Sequence, residues 1–342
     1  MRQYMSRIVG NRSLCEKLCR DVLSDKLSHA FVLEGARGTG KHTVAISVAA
    51  ALACSQRNGN GAFPCYECRE CKKVLESKCP DVNIIGTGGK ATLVVDTVRA
   101  LREDVRTVPN DLEFKLYIIE DADKMTEQAQ NALLLTLEEP PSYVRFILLC
   151  ENSDLLLETI RSRAPILRTE SLKSSDIDEY ICRTDRRATQ MKLSSPSEYA
   201  ELIISSNHGI GTALEYLDPQ KFAPVKEMRS LVTRFCDMAT SSSSAKEALT
   251  LIKEFSPKRD VLRTQLKALS EAVTDLLIIK KSDHASLSFF ADTELAVEMS
   301  DRVSASYLYT LSEAVLTAIN NTEQNSNVKL TLIKLISDAN II

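Results

Sequence analysis

The chain has 342 residues, 44% of them hydrophobic and 26% charged, with 43 Lys plus Arg against 46 Asp plus Glu for a net charge of −3. These proportions exclude a mostly disordered or fibrous protein, and at ~150 residues per domain the length implies two or three domains. The near-neutral balance argues against a basic nucleic-acid footprint over the whole surface; with no Trp and 5% aromatic residues, stacking platforms for single strands are scarce. Ten cysteines are the compositional oddity. Residues 1–9 hold no apolar core of signal-peptide length, and no run of about 18 apolar residues follows. The expected setting is therefore cytoplasmic, with no membrane, where thiols stay reduced and clustered cysteines hold metal.

From about Arg7 to Arg168, apolar strand-like runs alternate with helical stretches. Residues 29–34 read as a strand entering a Gly-rich turn, Val44 to Ala53 as an Ala-rich helix, and residues 81–85, 115–119 and 145–150 as further strands. Continuous apolar runs separated by helices predict strands buried on both faces of a parallel sheet. From Ser171 onward the strand signal disappears. Residues 171–222 read as short helices with a Gly-bearing bend at His208-Gly209-Ile210-Gly211, and residues 239–244 as a loop. Beyond it, Val261, Leu262, Leu266, Leu269, Val273, Leu276 and Leu277 follow helical spacing, as do Leu308, Leu311, Val315 and Ile319, and then Leu330, Leu332, Ile333, Leu335 and Ile336. No period of about 20–50 residues suggests a repeat array. The expected layout is an α/β domain over 1–168, a small helical domain over 169–222 and an all-α domain over 223–342.

Gly35-Ala36-Arg37-Gly38-Thr39-Gly40-Lys41 lies between the first strand and the Ala-rich helix. Such a loop turns backbone N–H groups inward, adds a helix N-terminus and sends a Lys toward the outer phosphates, so it has the parts to hold ATP. The next position should carry the hydroxyl that coordinates Mg²⁺; it is His42, and Thr43, one step on, is rotated by about 100°. Phosphate binding survives that change, whereas the Mg²⁺ site loses its ligand. Glu120 and Asp121 close the third strand in the reverse of the usual Asp-Glu order, which leaves two readings equally weighted: metal and water chemistry, or an acidic pair capping the following helix.

Cys54, Cys65, Cys68 and Cys71 have the spacing C-x10-C-x2-C-x2-C, within an insert over about 54–71. Four thiolates on a short excursion close a tetrahedral site suited to structural Zn²⁺. The stretch from Gln56 to Phe63 is polar and glycine-bearing, so a metal clip would supply the stability that a core of its own does not. An iron–sulfur site would want Cys where Leu75 stands; a redox dithiol is the weaker competitor. Cys79 is a reserve ligand at most. Cys15, Cys19, Cys150, Cys182 and Cys236 read as buried small apolar residues.

The run Glu127-Gln128-Ala129-Gln130-Asn131-Ala132-Leu133-Leu134-Leu135-Thr136-Leu137-Glu138-Glu139-Pro140-Pro141 resembles the signature of bacterial clamp-loader subunits. Thr159-Ile160-Arg161-Ser162-Arg163 resembles their Ser-Arg-Cys motif, with Ala164 in place of the Cys. With Ser28-His29-Ala30, the phosphate loop and the four-Cys insert, the resemblance covers most of residues 5–170; further on it rests on Asn325, Asn327 and Lys329-Leu330. The chain is thus similar to the AAA+ clamp-loader family of DNA polymerase III. That resemblance implies a P-loop AAA+ domain, a helical lid and a helical collar.

Two branches of that family carry the zinc insert, the ATP-hydrolysing gamma/tau type and the delta-prime type. The sequence resembles the latter in His42, in the Glu120-Asp121 order, in Thr212 where gamma has its sensor Arg, and in Cys79-Pro80-Asp81 with Val95-Asp96-Thr97-Val98-Arg99. A tau chain also carries a long C-terminal extension that 342 residues do not accommodate. The implied role is a stator whose own ATPase activity is weak or absent, partnered with gamma/tau and delta subunits in a hetero-pentamer that opens a sliding clamp onto primed DNA. Arg163 would act as an arginine finger in trans, with Arg161 in support, and Asn152 would stand at the sensor-1 position. Against these stand plainer readings: Arg163 as a helix-end surface arginine, Asn152 as a loop hydrogen-bonder and the collar as a self-contained helical domain. Lys41 keeps an ATP-hydrolysing gamma-type motor as the rival function. A zinc-dependent nucleic-acid module fares worse, because Arg69, Lys72, Lys73 and Lys78 are interleaved with Glu67, Glu70 and Glu76.

Overall fold

A computed structural model describes residues 3–57, 59, 61–88, 92–241, 245–282, 287–324 and 326–341. It divides into two compact units, Met1–Tyr180 with His208–Gly211, and Ile181–Asn207 with Thr212–Ile342. The first unit is built on the parallel strands β1 (Ala30–Glu34), β2 (Val82–Ile85), β3 (Lys115–Ile119), β4 (Val144–Cys150) and β5 (Ile166–Arg168), in the order β2-β3-β4-β1-β5. Its helices are α1 (Arg12–Leu23), α2 (Lys41–Ala53), α3 (Arg69–Leu75), α4 (Val95–Val105), α5 (Glu127–Glu138) and the single turn α6 (Glu158–Arg161).

Side chains alternate across the central strands, as the pleat requires. Phe31, Leu33, Leu116, Ile118, Ile147 and Leu149 meet the apolar faces of α1 and α2, while Val32, Tyr117, Ile119, Phe146 and Leu148 meet those of α4 and α5. Small residues let α2 lie close to the sheet; Ala45, Ala49, Ala50 and Ala51 are fully buried. The sheet edges differ from the expected burial on both faces. β2 is half-buried rather than buried on both faces, with Ile84 exposed, because it has a neighbour on one side alone. β5 carries no strand signal in the sequence: it spans three residues, and none is fully buried.

The cysteine-bearing excursion also departs from its expected lack of core. Phe63 is fully buried, its backbone pairs with Gln3 and Met5, and Tyr66 donates to Ser47 Oγ at 3.2 Å beneath the Arg7 guanidinium. Residues 58 and 60 of that excursion lie outside the described residues.

The second unit is helical. It takes in the end of α7 (Ser174–Thr184), then α8 (Arg186–Ser194), α9 (Pro196–Ser205), most of α10 (Ile210–Tyr216), α11 (Pro219–Thr240), α12 (Ala245–Leu251), α13 (Arg259–Lys281), α14 (Thr293–Asp301), α15 (Ala305–Glu323) and α16 (Val328–Asp338). Leu262, Leu266, Leu269, Val273, Leu276, Leu308, Leu311, Val315, Leu332, Leu335 and Ile336 form its core, as their spacing predicts, and Leu277 and Ile319 pack against it. Val261, Leu330 and Ile333 do not: they are exposed, off the face that their helices bury. The loop read at 239–244 begins later, since α11 runs through Thr240; Ser242 to Ser244 lie outside the described residues. So does Asn325, whereas the Asn327 side chain caps α16 by accepting the N–H groups of Lys329 and Leu330. No helix among the described residues is long and apolar enough to cross a membrane.

Candidate functional site: a phosphate loop and a four-cysteine cluster

The loop between β1 and α2 has the backbone that its glycines permit. Gly38 and Gly40 hold φ of 80° and 89°, and Gly40 caps α2 from the left-handed region. Gly35 is required by packing, because a Cβ there would lie 1.8 Å from Thr169 Oγ1. Lys41 folds back on the loop and donates to the carbonyls of Gly35 at 2.6 Å and Ala36 at 2.9 Å; burial pulls its ammonium below the usual lysine range. The Thr39 hydroxyl is occupied by Ala36 O at 2.8 Å and Thr169 Oγ1 at 3.0 Å. Thr43 is exposed on α2.

His42 turns toward the end of β3, and its Nε2 stands 3.5 Å from Glu120 Oε1. The adjacent Asp121 has φ 51° and opens the short turn after β3, yet its side chain makes no capping bond; it pairs with Lys124 at 2.9 Å. Asp123 joins the neighbouring strand instead, its Oδ2 accepting from the N–H groups of Glu151 and Asn152 at 3.0 and 3.2 Å. Asn152 itself is exposed, and its Oδ1 accepts the Asp154 N–H at 2.9 Å. The helix-bearing side is closed by the bend at His208–Gly211: a Cβ on Gly209 would lie 2.7 Å from Arg37 O, and the Gly211 N–H reaches Gly38 O at 3.4 Å.

Arg163 follows α6, with Nη2 2.8 Å from Glu138 Oε1 at the end of α5 and Nη1 donating to Thr159 O at 3.0 Å; 37% of the side chain is exposed. Arg161 pairs with Asp154 at 3.1 Å.

The Sγ atoms of Cys54, Cys65, Cys68 and Cys71 all lie within 4.8 Å of one another. Zinc bound at about 2.3 Å by four tetrahedral thiolates sets S···S near 3.8 Å, so a small closure completes the shell. The N–H groups of Cys68 and Cys71 donate to the Sγ atoms of Cys65 and Cys68 at 3.3 and 3.4 Å, which favours thiolates. Burial opposes ionisation of Cys68, but the Cys71 N–H and Ser55 bring that thiol down to about 7; burial raises Cys54 and Cys71. This donor set fits a soft, tetrahedral divalent metal. Cys79 is buried and stands outside the four-thiol group. Cys15, Cys19, Cys150 and Cys236 are buried, as read; Cys182 is half-buried, its Sγ 3.2 Å from the Tyr199 hydroxyl.

Residues 10–173 match the family profile described as "DNA polymerase III, delta subunit". Over this segment the chain is similar to members of the DNA polymerase III clamp-loader family. It is 32% identical over 206 residues to the DNA polymerase III subunit delta' of Bacillus subtilis, covering 60% of this chain and 59% of that one. It is 31% identical over 179 residues to the DNA polymerase III subunit gamma of Buchnera aphidicola from Acyrthosiphon pisum, covering 52% and 48%. The chain thus spans about half of the length of these relatives. Among solved structures it is similar to a DNA polymerase III gamma subunit-related protein of Thermotoga maritima, at 19% identity and a TM-score of 0.47, over 95% of this chain and 97% of that one.

Two residues beside the phosphate loop, Glu34 and Asn11, carry no signal of their role in the sequence. Glu34 accepts from Ser153 N and Oγ, both at 3.1 Å, and from Arg168 at 2.7 Å; although burial opposes it, these bonds hold its carboxyl below the usual range while it ties β1, β4 and β5 together. Asn11 is fully buried, taking the Glu170 N–H at 2.6 Å and reaching Thr39 O. Neither belongs to a chemical motif. The one legible feature is a charged Glu34 ending an otherwise apolar strand.

Proposed function

We propose that the chain is a delta-prime-like stator subunit of the bacterial DNA polymerase III clamp loader. In this reading it forms a hetero-pentamer with gamma/tau and delta subunits, supplies Arg163 in trans to a neighbouring ATPase and helps to load the sliding clamp onto primed DNA. One observation carries it: the phosphate loop keeps Lys41 yet sets the His42 imidazole against Glu120, where hydrolysis needs a hydroxyl and a metal. A guanidinium is fit for the finger role because it stays charged and forks onto phosphate oxygens, and such a finger is worth roughly 10³–10⁵ in rate. The four cysteines would hold a structural Zn²⁺. Residues 1–168 would form the AAA+ domain, 169–222 the lid and 223–342 the collar, with a cytoplasmic location to match.

The second reading, an ATP-hydrolysing gamma-type motor, draws on the similar identity to a gamma subunit and on the retained Lys41. Steady-state ATP hydrolysis separates the two. The stator reading expects negligible turnover by the chain alone, and loss of turnover when Arg163→Ala is assembled with gamma-type and delta-type partners. Turnover by the lone chain that Lys41→Ala abolishes would establish the motor instead.

A further inference from the structure

We infer that His42 takes the place of the divalent cation in the phosphate loop, so that the chain binds nucleoside di- and triphosphates without Mg²⁺. The inference rests on reading the loop as a nucleotide site and adds what the site excludes. In a metal-dependent loop, a hydroxyl at the start of the helix and a carboxylate at the end of a neighbouring strand face each other across Mg²⁺. The metal offsets the repulsion between that carboxylate and the phosphates. Here the imidazole Nε2 at the start of α2 faces Glu120 Oε1 at 3.5 Å, so a nitrogen stands where Mg²⁺ takes a hard oxygen ligand, and the ring is already turned to the carboxylate that the metal would share.

The nearby hydroxyls cannot substitute. Thr39 is buried and spends its oxygen on Ala36 O and Thr169 Oγ1, and Thr43 is exposed on α2. Asp121 is turned to Lys124 and Asp123 to the backbone after β4. What remains for the phosphates is the backbone of residues 35–40, the α2 N-terminus, the Lys41 ammonium and the free edge of the His42 ring. That set binds anions without a metal.

The test is fluorescence anisotropy of labelled ADP and ATP titrated with the full chain, in Mg²⁺ and in EDTA. The expected dissociation constants in the two buffers agree within about twofold, and His42→Thr, at an exposed position that leaves folding intact, becomes about tenfold tighter with Mg²⁺ than with EDTA. Lys41→Ala should weaken binding equally in both buffers. Wild-type binding that needs Mg²⁺, or a His42→Thr chain indifferent to it, overturns the inference while leaving the loop a nucleotide site. Absence of binding in both buffers overturns the two together.

Discussion

The bend at residues 208–211 offers a sharp test, because two glycines only two positions apart, Gly209 and Gly211, should respond differently. A Cβ added to Gly209 meets the backbone of the phosphate loop: Arg37 O at 2.7 Å, Gly38 Cα at 2.9 Å and Gly38 C at 3.0 Å. Ordinary carbon contacts lie at about 3.5–4.0 Å, so the bend and the phosphate loop must part by roughly half an ångström or more. No flexible side chain can absorb that. Forcing extra volume into a packed contact costs about 1–3 kcal/mol, and for a unit of this size each kcal/mol moves the midpoint by about 2–4 °C. Gly209→Ala should therefore melt about 4–8 °C below wild type, taking the middle of that range. At Gly211 the nearest atom to a new Cβ is Gly38 Cα at 3.6 Å, an ordinary contact, and the residue is already in α10. Gly211→Ala gains up to ~1 kcal/mol of helix propensity and should melt at or slightly above wild type. Scanning calorimetry of the three chains measures both shifts. A Gly209→Ala chain that melts with wild type, or two variants displaced equally, would refute the backbone-contact argument.

Other expectations follow from the same geometry. Asp104 accepts from the Tyr117 hydroxyl at 2.6 Å and from the buried Lys115 ammonium at 3.2 Å, and the Tyr117 bond first, then Lys115, holds its carboxyl below the usual range. Its stabilising effect is present above the carboxylate's unfolded value and lost as pH falls through the lower folded one, so the melting gap between wild type and Asp104→Asn should be widest near neutrality and shrink below about pH 4. Arg163→Ala breaks a half-exposed ion pair worth about 0–1 kcal/mol, so the variant should melt within about 2–4 °C of wild type; a larger drop would make any loss of complex activity uninterpretable as a missing finger. Metal analysis should find zinc in the purified chain and much less in Cys68→Ser. Chelation should expose thiols to a thiol reagent, Cys65 and Cys68 first because they are half-buried, and an unchanged thiol titration after chelation would exclude the metal clip.

Much of the fold was legible because its physics is local. The central strands carry continuous apolar runs, and the bend of the phosphate loop is written in its glycines. What the sequence hid was decided by distant partners. Val261 and Leu262 are equally apolar neighbours, but α13 turns Leu262 inward and leaves Val261 exposed; in α16, Leu330 and Ile333 share that fate. β5 is a strand because β1 lies beside it, with Val32 to Glu34 paired to Ile166 to Arg168. At the candidate site the motif residues were visible and their engagements were not. The capping role offered for the Glu120-Asp121 pair is absent from the Asp121 side chain, which turns to Lys124, and it is Asp123 that fastens the end of β4. The packing of residues 208–211 against Gly38 joins positions roughly 170 apart in the chain, a separation that no local periodicity reports.

Helix α2 begins at Lys41 and is capped by Cys54. Thirteen residues at 1.5 Å each make a rod of about 20 Å, with the Lys41 ammonium folded onto the loop at one tip and a thiol of the cysteine cluster at the other. A metal ion at the far tip would fasten that end to α3 through Cys71, in the way that an anchor bolt fixes a strut. The near tip would then be unable to slide or swivel when the loop takes up a load. Mechanically, a metal-filled cluster would stiffen a phosphate loop that none of its cysteines touches.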